Sequence, residues 1–141
     1  MHQLIQPEGW ERPKGYANGI AARGTQSYVG GMVGWNAQQQ FESDDFLQQT
    51  GQALRNVLAV LQAAGAGPEH MVRMTWYAKD KKEYLARGRE LGKVYQEVMG
   101  KHYPAMTLMV MTRIHWQALR LWLKRVGFFS KPQTPDQFVT R

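Results

Sequence analysis

Few residues in this chain have the type and spacing that chemistry needs. The four histidines, His2, His70, His102 and His115, are scattered, with no His-x-x-x-His pair and no adjacent acidic cluster, so no metal site is expected. His102, two residues before Pro104, reads as a solvent-facing turn residue. Cysteine is absent, which excludes disulfides, thiol nucleophiles and thiolate metal sites. Asp44 and Asp45 are neighbours, and neighbours on a helix do not face each other; capping explains them better than paired acid chemistry. The run "GGMVG" at 30–34 precedes no helix, so it is not a phosphate cradle, and close backbone contacts are the expected use of its glycines. No cofactor is expected. Two features remain: the uncharged stretch "YPAMTLMVM" at 103–111, and a tail in which Trp116, Trp122 and Phe128 alternate with Arg113, Arg120, Lys124 and Arg125.

That tail has the composition of a single-strand nucleic-acid binder, stacking rings plus cations. Its charge is local, however. Of the net +7, residues 1–112 contribute +2 (12 Lys+Arg against 10 Asp+Glu), and residues 113–141 contribute +5 (6 against 1). The body therefore has no basic face, and nucleic acid is not the expected partner. A solvated basic extension is the plainer reading of residues 113–141.

The elements that must position any site can be read from periodicity. A chain of 141 residues with 43% hydrophobic content predicts one domain over 1–141, large enough for its own core. No apolar run is long enough to span a membrane, and the start lacks a basic flank followed by an apolar stretch, so a cytoplasmic location is expected. Residues up to Tyr16 read as an extended lead-in. "GIAARGTQSYVGG" predicts a hairpin turning at Arg23-Gly24-Thr25. A polar loop at 36–43 precedes a helix capped by Ser43, with Asp44 and Asp45 in its first turn and Gly65 as its stop. Its apolar stripe is Phe46, Ala53, Val57, Val60, Leu61 and Ala64. "MVRMTWYA" alternates as a strand, with Val72, Met74, Trp76 and Ala78 on one face. A second helix aligns Tyr84, Leu91, Val94, Tyr95 and Val98 and ends at Gly100. Pro104 then opens a strand. The order β-β-α-β-α-β predicts an α+β two-layer sandwich.

Four stretches carry a family likeness: "GYANGI", "YVGGMVG", "QTGQALRNVLAVLQAAGAGPEHMVRMTWYAKD" and "VYQEVMGKHYPAMT". In this order, over about residues 7–112, the chain resembles the reactive intermediate deaminase (RidA/YjgF) family, part of which is described as L-PSP endoribonucleases. The resemblance implies a mixed sheet of about five to six strands covered by two helices, in a homotrimer with small-molecule clefts between subunits. Deaminating members take 2-imino or enamine acids there, an arginine pairs with the substrate carboxylate, and water addition releases ammonia.

Carried over residue by residue, the resemblance makes Tyr16, Gly31, Met32, Gly92, Met106 and Thr107 the candidate ligand-binding positions. Met106 stands at the arginine of Pro-Ala-Arg-Thr, Met32 at the glutamine of Ser-Gly-Gln, and Gly92 where an asparagine is frequent. No counterpart of the last-strand glutamate is found, so no catalytic residue is assigned. A charge-assisted pair is worth about 1.5–3 kcal/mol, and methionine offers no donor. The resemblance is thus to a diverged subgroup: loss of standard imino-acid deamination is expected, with a more apolar or uncharged ligand in the cleft. Residues 113–125, "RIHWQALRLWLKR", depart from the strand expected there, and a local frame slip within Leu119–Lys124 is one reading of them.

Overall fold

The computed structural model describes residues 2–110. The chain divides into two units, 1–111 and 112–141. The expectations for Met111, the tail and the frame slip lie outside the described residues.

Strand β1 (His2–Ile5) pairs antiparallel with β2 (Gly19–Ala22), joining His2 to Ala22 and Ile5 to Gly19. The expected hairpin at 19–31 is therefore replaced by a longer-range one. Gly24 does take a positive φ of 124°, but no strand follows it in residues 25–33. The lead-in supplies the partner instead, because Leu4 and Ile5 give it a short apolar edge and the Ile5 side chain lies against Gly19.

Helix α1 (Phe46–Ala63) starts two residues later than the expected Ser43 cap would place it. Asp45 is the N-cap: its Oδ1 accepts from the backbone N–H of Leu47 (3.0 Å) and Gln48 (2.9 Å), satisfying two orphan donors. Ser43 supports it from outside, its Oγ accepting from the Asp45 N–H at 3.0 Å. At the other end Gly65 (φ 70°) closes a Schellman motif, with Ala66 N–H to the Leu61 carbonyl and Gly65 N–H to that of Gln62. The buried stripe is centred on Gly51, Leu54 and Leu61, while Val60 faces solvent.

A short 3-10 turn (Pro68–His70) leads to β3 (Arg73–Ala78). The expected second helix is broken into α2 (Lys81–Ala86) and α3 (Gly88–Met99) at Arg87, which caps both. The cause is tertiary. Arg87 Nη1 bonds Asp45 Oδ2 at 2.7 Å while its other nitrogens reach Glu90, fixing the junction against the start of α1. That same guanidinium, more than the α1 backbone N–H groups, holds the Asp45 carboxyl below the usual carboxylate range. Gly100 ends α3, and β4 (Ala105–Val110) runs parallel to β3 with Met74 opposite Met106 and Thr75 opposite Thr107.

Helices α1 and α3 pack together, and Leu54, Leu61, Met71, Tyr95 and Met99 form the buried cluster between them and the sheet. Met74, Trp76 and Met106 pack onto that cluster, so one face of β3–β4 is covered. The described residues thus show an α+β arrangement with four strands in two pairs, β1–β2 and β3–β4. A parallel bridge between Ala17 and Ala105 links the chain just before β2 to the start of β4.

Candidate functional site

The six candidate positions fall on different elements. Tyr16 is 46% exposed and precedes Ala17, whose N–H donates to the Pro104 carbonyl at 3.0 Å; this sets Tyr16 beside the start of β4. Met106 is half-buried, on the covered face of β4 against the core cluster. Thr107 alternates to the opposite face and is exposed. Gly31 is exposed and Met32 half-buried in the chain before α1. Gly92 lies on the exposed side of α3, with open space where a Cβ would project.

The segment that carries Met32 is fastened to α1 by two features. Asn56 Nδ2 donates to the carbonyls of both Val33 and Trp35 at 2.9 Å, and Gln52 Nε2 donates to Asn56 Oδ1 at 2.9 Å. Between those two carbonyls, Gly34 touches the helix backbone so closely that an added Cβ would lie 2.5 Å from the Gln49 carbonyl oxygen and 2.7 Å from its Cα. Only a glycine fits such an approach. The close-contact expectation for "GGMVG" thus applies to Gly34, in a loop rather than a strand. Asn56 was legible only as a polar residue inside an amphipathic helix, with nothing in the sequence to name its partners.

On the covered side of β4, Tyr95 is 4% exposed, stacks on Tyr103 with ring centroids 5.5 Å apart, and meets Trp76 at 6.2 Å. Its hydroxyl donates to the His102 carbonyl, and burial pushes its pKa well above the usual phenol range. Gln96 Nε2 donates to the Tyr103 hydroxyl at 2.7 Å. These bonds fix the turn from α3 into β4. Between this turn and the β1–β2 lead-in lies a cleft of about 270 Å³, with Tyr16, Tyr103, Arg12 and Lys101 in its wall.

Among the described residues no group of three or more His, Asp or Glu could hold a metal ion. No helix among them is long and apolar enough to cross a membrane.

The α+β arrangement is matched by known proteins. The family model described as endoribonuclease L-PSP matches residues 11–120. A RutC family protein of Pyrococcus horikoshii is 28% identical over 116 residues, covering 81% of this chain and 88% of the relative. The crystal structure of the Rid-family protein YyfB of Yersinia pestis, described as of unknown function, superposes with a TM-score of 0.64 at 26% identity, over 78% of this chain and 85% of that one. RidA of an Antarctic Psychrobacter shares the fold, with a TM-score of 0.52 at 22% identity over 76% and 84% of the two chains. The chain belongs to the RidA/YjgF family, that of the endoribonuclease L-PSP model. Membership of this family points to a small-molecule-binding or deaminase-like role.

Proposed function

We propose that this protein is a homotrimer that binds a small metabolite in clefts between subunits, and that it has lost the arginine-dependent deamination of 2-imino acids. The observation that carries this reading is Met106. At the position of the family's arginine it presents a thioether without a donor, packed on the core side of β4. A substrate carboxylate brought there would lose its water and gain no partner. Tyr16, Gly31, Met32, Gly92 and Thr107 complete the proposed lining, with the methionines taking an apolar or uncharged part of the ligand. A diverged hydrolytic deaminase using other groups and a non-catalytic binding module both fit this site.

Two surfaces support assembly. Parallel strands are usually covered on both faces, yet on the β3–β4 face bearing Thr75, Tyr77, Thr107 and Met109 the described residues leave Tyr77 66% exposed. Tyr28 is 88% exposed. We take β1–β2 and β3–β4 as parts of one mixed sheet of about five to six strands, covered by α1 and α3 and closed against two further copies. Light scattering on the full chain tests this: a mass of three chains is expected at micromolar concentration, and a stable monomer would remove the intersubunit cleft. A cytoplasmic location goes with this reading.

A further inference from the structure

We propose that the cleft between the β1–β2 lead-in and the α3–β4 turn is an anion-binding site, with Arg12 and Lys101 as its cationic groups. The ligand class is a small organic molecule bearing a carboxylate or a phosphate. The cleft is formed within one chain, so the inference needs neither the trimer nor turnover, although Tyr16 belongs to both sites.

Its two walls are built by different parts of the fold. On one side, Gln6 Nε2 donates to the carbonyls of Trp10 (3.0 Å) and Glu11 (3.3 Å), and Asn18 Nδ2 donates to Gln6 Oε1 at 2.8 Å. These bonds gather the loop between β1 and β2 and set Arg12 at the cleft. On the other side, Lys101 follows the Gly100 stop of α3 and is held by the neighbouring bonds of His102 and Tyr103 to α3. The Ala17–Pro104 backbone bond ties the walls together.

The electrostatics favour an anion. Arg12 and Lys101 face the same space, and among the described residues neither forms an ion pair. The lining holds one carboxylate, Glu69, against these two cations. A guanidinium offers two parallel donors to a carboxylate or phosphate, and a lysine adds a mobile point charge. Tyr16, Tyr103 and Asn18 add polar groups, while Leu4, Ile5 and Met71 leave an apolar floor for the rest of the molecule. About 270 Å³ suits a metabolite rather than a polymer.

The test is calorimetric and NMR titration of the full chain with two probes, inorganic phosphate and propionate. Saturable binding of at least one is expected, at one site per chain, weakening with added salt. Arg12→Gln and Lys101→Gln should each weaken it by about tenfold or more, the size of one charge-assisted hydrogen bond. Both residues are exposed, so circular dichroism and Tm should match the wild type. Tighter phosphate binding assigns a phosphate ester, and tighter propionate binding a carboxylic acid. No saturable binding of either probe up to tens of millimolar, or unchanged affinity in both variants, overturns the proposal. Absence of ammonia release leaves it intact.

Discussion

The two halves of the described chain are held together by different forces. Among the described residues the buried core cluster lies between Leu54 and Met99, where α1, α3 and β3 close together and Met99 is only 1% exposed, and Pro104 is buried just beyond it. Of residues 2–45 none is buried: Val29 packs against the cluster, Asn56 reaches across from α1 to two carbonyls, and within the segment Gln6, Asn36 and Ser43 bind backbone while Asn18 bonds the Gln6 side chain. The body thus holds the apolar core, and the first 45 residues form a largely hydrogen-bonded layer on it. Met106 belongs to the first region and Arg12 to the second. On the proposed reading, that difference puts Arg12 at the cleft and leaves Met106, standing for the family's arginine, among apolar neighbours.

The contrast is sharpest at Met106. Met106→Arg should not simply restore a binding cation. It would press a charge against the Tyr95–Met99 cluster and lower stability by about 2–4 kcal/mol, seen as a shifted denaturant midpoint. A neutral effect would mean that Met106 faces water and belongs with the polar layer. Gly34→Ala probes the closest approach of that layer to the body. Its Cβ would meet Gln49 backbone, which cannot rotate away, so a loss of about 1–3 kcal/mol is expected in thermal unfolding.

Asn56→Ala removes both carbonyl clamps without a steric change. About 1–2 kcal/mol should be lost, with faster amide exchange confined to the segment around Met32. Uniformly faster exchange would show that the layer and the body unfold as one unit.

The Asp45–Arg87 link gives the smallest effect and a pH signature. Because the folded carboxyl titrates below its ordinary value of 3.8, its contribution is complete above that value and disappears as pH falls through the lowered one. Asp45→Asn should therefore lower Tm slightly near neutrality, flatten the acid limb of the Tm–pH profile, and merge with wild type at the lowest pH. Parallel profiles would show that the pair contributes nothing.

This division also explains what the sequence could reveal. The body was legible because apolar spacing reports directly on burial: α1, β3 and β4 lie within a few residues of where periodicity places them, and the Gly65 and Gly100 stops act locally. Even there, the stripe shifted onto Leu54, because which side of a broad apolar face is covered depends on α3. The break at Arg87 depends on an aspartate 42 residues away. The first layer was hard to read, since a pairing such as Ile5 with Gly19 and a clamp such as Asn56 on Val33 leave no periodic trace. Among the candidate positions, Met106 was singled out only by the resemblance, as the residue standing where the family has a cation. Its placement on the helix-facing side of β4 follows only from its register with Met74.

On the proposed reading Met106 removes the family's usual chemistry. Steady-state ammonia release from 2-iminobutyrate-type substrates by the wild-type chain tests it most directly. A rate indistinguishable from spontaneous hydrolysis is predicted. Sustained turnover with a saturable dependence on the imino acid would contradict it, because another group would then be holding the carboxylate.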